Sequence, residues 1–243
     1  RLARKLQPSY ELIGKQVRGS PRVVCDETGW RVNGEGAWRH DFVTEQLTYY
    51  VIDPTRSGQP AKVLLGEDYS GVLIHDGWSV YDKFRNARHQ QCLAHLMRRC
   101  HELLQVAVGG AARFPRAVLD LFGQSLCARD RFALGELTSH GLRVLSGRFT
   151  ETMRRLVAPV KSHVANERLA KHLENHLADL FTFLREPAVD ATNWRAEQAI
   201  RPAVVNPKVW GGNRTWNRST PSPRITTSCP SRRDITASAP RLE

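Results

Sequence analysis

Two short apolar runs in this sequence each stop at a carboxylate. Val23, Val24 and Cys25 lead into Asp26; Val72, Leu73, Ile74 and His75 lead into Asp76. A brief apolar run bounded by turn residues predicts a buried strand. A carboxylate closing such a run is costly to bury unless it is paired or has a task. Both are followed within a few positions by Gly and Trp, in DETGW and DGW. If the two strands are neighbours in one sheet, their terminal carboxylates converge.

The surrounding pattern supplies that sheet. EGAWRHDFVT and QLTYYVID follow the first run and are rich in strand-forming residues, with a turn at Asn33 to Gly36. Together they predict a three-stranded antiparallel meander. QPAKVLLGED predicts a short helix stopped by Gly66. From about Ala94 to Glu186 the periodicity is helical. NERLAKHLENHLADLFTFLRE predicts one helix with Leu169, Leu173, Leu177, Leu180 and Leu184 on one face, Asn166 as N-cap and Pro187 as stop. HLMRRCHELLQVA, FPRAVLDLFGQSL and TMRRLVAPV carry weaker helical patterns, and WRAEQAIRPAVV predicts a late helix that Pro202 limits or kinks.

The order points to an α/β ribonuclease H-like core, a three-stranded meander and then strand-helix units, with an inserted helical domain. The expected parts are an N-terminal linker fragment at 1–20, the first part of the core at 21–96, the helical insertion at 97–187, the last core helix at 188–217 and a disordered basic tail at 218–243.

Composition narrows the function classes. With 41% hydrophobic and 25% charged residues the chain is not wholly disordered. No stretch approaches the ~18 apolar residues of a membrane span, and the start has no apolar run of signal-peptide type. There is no initiator Met, so the chain is expected to begin inside a longer reading frame. The net charge of +12 points to a polyanionic partner, nucleic acid first, with plain solubility charge as the alternative. From Lys208 onward seven Lys/Arg face two acids, so the tail supplies much of that charge. The 5 cysteines form no CxxC pair, which fits a reducing cytoplasm.

A third carboxylate, Glu197, lies on the late helix. Three converging carboxylates are the minimum that holds two Mg²⁺ ions ~3.5–4 Å apart for phosphoryl transfer. Spacing alone does not select this trio from 24 acidic residues. Glu27 is a rival to Asp26, but adjacent strand residues face opposite ways, so only one points into such a site. Cys92, His95, Cys100 and His101 raise a zinc alternative, although C-x-x-H is half of a closed site. His95 can instead orient a carboxylate or contact phosphate, or Cys92 and His95 can simply be partly buried side chains. Arg98, Arg99, Arg195, Arg201, Lys208 and Arg214 are candidate phosphate contacts. Arg201 sits one turn from Glu197, where an ion pair is the alternative. Trp30, Trp38 and Trp78 are expected in the core.

CDETGWRVNGEGAW, GVLIHDGWSVYDKF, RHQQCLAHLMRRC and TNWRAEQAIRPAVVNPKVWGGNR occur in this order. They resemble insertion-sequence-66 family transposases, bacterial DDE enzymes with a ribonuclease H-like core, from Arg22 to Asn217. By motif match the resemblance implies catalytic, Mg²⁺-binding Asp26, Asp76 and Glu197, with two ions for which Mn²⁺ can substitute. It implies DNA cleavage and strand transfer on transposon ends and target DNA. It further implies a homo-oligomer, accessory proteins in some systems, and a cytoplasmic, nucleoid-associated setting. The chain departs from the pattern: Asn193-Trp194 replaces a pair of Asn, N-terminal DNA-binding regions are absent, and the pattern stops after Asn217. There a change of reading frame and a native basic arm both remain open. So does a catalytically inactive nucleic-acid-binding remnant.

Overall fold

The computed structural model describes residues 2–210. The tail expected at 218–243 and Arg214 lie outside the described residues. Helix α1 (Leu2–Arg18) precedes the meander β1 (Arg22–Val32), β2 (Glu35–Val43) and β3 (Thr48–Asp53), followed by α2 (Gln59–Leu65) and β4 (Val72–His75). Then come β5 (Arg88–Gln91), α3 (Leu93–Val106), α4 (Arg113–Ala133), α5 (Ser139–Val157), α6 (Val164–Asn175), α7 (Thr182–Arg185) and α8 (Trp194–Trp210). The strands form one sheet in the order β3-β2-β1-β4-β5. The meander is antiparallel, while β4 pairs parallel with both β1 and β5.

Alternation along the strands divides the core in two. Val23, Cys25, Phe42 and Leu73 pack with Val17 of α1 and Ala61, Leu64 and Leu65 of α2. Val24, Val43, Val72 and Ile74 face the other way, into one cluster with α3 to α8. The helical block therefore shares its apolar interior with the sheet. Among the described residues no helix is long and apolar enough to cross a membrane.

Several elements differ from the sequence expectation. Most of the segment expected to be a linker, 1–20, is the helix α1 (Leu2–Arg18): Val17 is buried, and Tyr10 stacks on Tyr49 and donates to the Tyr50 carbonyl at 2.9 Å. The 96/97 boundary falls inside α3. Strand β1 does not end at Asp26 but runs on to Val32, because β2 continues to pair with it after β4 has ended. Strand β5, RHQQ, has no apolar run to announce it, yet Gln90 and Gln91 are fully buried.

The helix expected over 166–186 is broken at His176, and its N-cap is His163, not Asn166. Tertiary hydrogen bonds compete with the helical ladder there. Gln90 donates to the Leu180 carbonyl at 3.1 Å and accepts from the Phe183 N–H at 2.9 Å, and the Thr182 hydroxyl donates to the His89 carbonyl at 2.7 Å. Asn166 lies one turn into α6 and donates its amide to the Ala111 carbonyl. Helix α8 continues through Pro202. Nearby, its Ala199 carbonyl accepts from Arg39 at 3.0 Å and from the Tyr50 hydroxyl at 3.4 Å, which seats α8 on the meander.

Candidate active site

The parallel register of β1 and β4 pairs Val24 with Ile74. Two residues further along each chain stand Asp26 and Asp76, so both emerge at the same level of the sheet. The Glu27 N–H donates to Asp26 Oδ1 at 3.0 Å, and the Trp78 N–H donates to Asp76 Oδ1 at 2.9 Å. Burial, with the charges of Glu27, Asp76 and Asp41 around it, pushes the Asp26 carboxyl up to about 8 despite the Glu27 amide.

Asp41 of β2 is the Cα partner of Asp26. Its side chain is 0% exposed and is gripped by Arg39 through two hydrogen bonds of 2.7 and 2.9 Å. Burial outweighs the guanidinium and sets this carboxyl at about 6. Glu27, alternating to the opposite face, is 1% exposed and is paired with Arg56. Two of the four neighbouring carboxylates thus have guanidinium partners. Among the described residues Asp26 and Asp76 have no basic partner.

Glu197 lies in the first turn of α8, 39% exposed, with Oε1 at 3.9 Å from His95 Nε2 and 4.0 Å from Arg98 Nη2. Both of those residues are on α3. The two helices are stitched at their starts: the Leu93 N–H donates to the Ala191 carbonyl at 3.0 Å, and the Asn193 N–H donates to Cys92 Sγ at 3.3 Å. The alternative Glu197–Arg201 ion pair is not formed; Glu197 turns to α3 and Arg201 is exposed. Arg195 is engaged by Asp190 at 2.6 Å. Arg99 lies near His172. Of Lys208 only the helical backbone is described. Among the described residues no group of three or more His, Cys, Asp or Glu is disposed to hold a metal ion. That covers both the carboxylate trio and the Cys92, His95, Cys100, His101 set.

The loop after Asp76 is fixed by a polar chain that sequence reasoning missed. The Phe84 carbonyl can only accept, so His89 Nε2 carries a proton toward it across 3.1 Å. His89 Nδ1 then accepts from His75 Nε2–H at 3.1 Å, and His75 Nδ1 accepts from the Gly77 N–H at 3.1 Å. Burial and the neighbouring histidines hold His75 well below its ordinary range, in keeping with this neutral tautomer. Gly77 has φ +91° and lies against the Gln91 amide, to which His172 Nε2 donates at 2.8 Å. The Arg39–Asp41 pair was also missed, although charges two apart on a strand share a face.

No curated protein matches the chain. A family model described as Transposase IS66 family matches residues 1–218. That span covers the whole sheet, the helical block and α8. The sequence over those residues makes this chain a member of the IS66 family of transposases.

Proposed function

We propose that the sheet and α8 are a ribonuclease H-like DDE core that cleaves DNA and joins strands in transposition. The observation that carries this is the pairing pattern of the carboxylates. Asp41 and Glu27 are neutralised by Arg39 and Arg56, whereas Asp26 and Asp76, each two residues beyond the paired Val24 and Ile74, have no basic partner among the described residues. Two adjacent uncompensated carboxylates fit a hard divalent cation.

In this reading Asp26 and Asp76 hold Mg²⁺, or Mn²⁺ in its place, and Glu197 is the third carboxylate, presented by α8. The bound ions supply Lewis-acid charge and an acidified water. The Glu27 and Trp78 amides orient the two Asp side chains. His95 and Arg98 steady Glu197, and the exposed guanidiniums of Arg98 and Arg201, with Arg99, Lys208 and Arg214, bind the DNA backbone with salt-dependent affinity. The sheet and α8 serve as the core, and the helical block between β5 and α8 is the insertion. The partners are transposon ends, target DNA and further copies of the chain, in a bacterial, nucleoid-associated setting.

The test is Mg²⁺-dependent nicking of plasmid DNA by the purified chain, with Glu197→Ala as control. Nicking that survives in Glu197→Ala overturns the assignment. A second reading, a nucleic-acid-binding remnant without catalysis, is favoured by Glu197 facing His95 and Arg98. It predicts salt-dependent DNA binding with no nicking.

A further inference from the structure

On the face of the sheet opposite α8, Arg56 from the loop between β3 and α2 reaches three groups at once. Its Nε and Nη2 both donate to Glu27 Oε1, the first at 3.0 Å. Its guanidinium lies over the Trp38 ring at 5.0 Å and over the Trp78 ring at 4.9 Å. Cation–π contacts of this kind reinforce an ion pair and hold the guanidinium plane in place. Glu27 is the residue after Asp26, and Trp78 is two residues after Asp76, with its amide on the Asp76 carboxylate. Arg56 therefore ties together, from behind, the two chain segments that present Asp26 and Asp76.

The clasp also settles where negative charge is left over. Glu27 is 1% exposed, its Oε2 is buried with no hydrogen-bond partner, and its charge reaches both Asp26 and Asp76. Unpaired, it would compete for any cation brought to the other face and pull β1 out of line. We infer that Arg56 is a positioning residue: by holding Glu27 and Trp78 it reserves Asp26 and Asp76 for the divalent cation. This rests on the carboxylate assignment proposed above.

Simple charge counting and positioning predict opposite signs, which makes the inference testable. Removing the Arg56 charge makes the site more negative, so electrostatics alone tightens Mn²⁺ binding. Loss of positioning weakens it. Mn²⁺ binding to the full chain, followed by electron paramagnetic resonance, is measured for the native sequence, Asp76→Asn, Arg56→Gln and Arg56→Lys, with circular dichroism as the check on folding. Positioning predicts Arg56→Gln weaker by about tenfold, the usual scale for groups that orient metal ligands. Arg56→Lys, which keeps the charge but loses the fork and the stacking, falls between. Unchanged or tighter binding in folded Arg56→Gln overturns the inference while Asp76→Asn still loses the ion. Should Arg56→Gln fail to fold, Arg56→Lys decides in the same way. Equal binding by the native sequence and Asp76→Asn, or no binding by either, overturns the carboxylate assignment itself and the inference with it.

Discussion

Asp26 and Asp41 stand directly opposite each other on neighbouring antiparallel strands, and only Asp41 holds a guanidinium. Two carboxylates in one pair position repel, and the sheet tolerates them because Arg39 offsets one of the charges. The other has no basic partner among the described residues and is a liability to the folded chain.

That liability has a sign in pH. An acid whose folded pKa is raised keeps its proton longer in the folded chain than in the unfolded one. Stability is then full below the unfolded value and is lost as pH rises through the folded value. For Asp26 the window runs from its ordinary 3.8 up to about 8. Asp26→Asn in EDTA is expected to raise stability at pH 8 by on the order of 3 kcal/mol and to flatten its decline with pH. Urea melts at pH 5 and pH 8 check this; parallel pH profiles for the two proteins contradict it.

Arg39→Met is expected to destabilise by about 3–5 kcal/mol at pH 8, because it strands the buried Asp41 charge. The loss should be smaller at pH 5, where Asp41, with its carboxyl at about 6, takes up a proton. Adding Asp41→Asn to Arg39→Met should recover most of the stability. Equilibrium unfolding of the two single variants and the double variant measures this coupling.

Gly77→Ala meets two obstacles. The backbone has φ +91°, and a Cβ there would lie 2.6 Å from Gln91 Oε1. A destabilisation of about 1–3 kcal/mol is expected, with displacement of the Asp76 loop. Metal-dependent nicking should fall more than the melting temperature alone explains. A variant with native stability and native nicking removes the constraint argued for this loop.

Glu197→Gln should separate activity from stability. The side chain is partly exposed, and its contacts to His95 and Arg98 are long, so stability should change by less than about 1 kcal/mol. Nicking should fall by at least about 10²-fold if Glu197 belongs to the reacting site. Calorimetry and plasmid nicking on the same sample give both numbers.

The meander, α2 and β4 were legible because their signals are local: β-rich runs, a turn at Asn33 to Gly36, and a Gly66 stop. Sequence reasoning made the approach of Asp26 and Asp76 conditional on neighbouring strands, and the parallel pairing of β1 with β4 meets that condition. Strand β5 was not legible, since RHQQ pairs with β4 while Leu180, Phe183 and Thr182 satisfy the Gln90 side chain and the His89 carbonyl from ninety residues away in the chain. The break in the helix expected over 166–186 has the same origin. The Arg56 clasp was hidden for a different reason: its four members come from β1, β2 and two loops, and no spacing joins them.

The stitch between Cys92 and Asn193 spans 101 positions. A newly made or refolding chain can bring Asp26 and Asp76 together through one sheet pairing. It cannot seat Glu197 until the whole helical block has closed on itself and returned to the end of β5. Closing so long a loop is entropically costly before any contact repays it, and contacts of this separation form late. Glu197 thus reaches its place beside His95 and Arg98 late, and a chain caught with its helical block unfolded lacks that contact while the sheet is already paired.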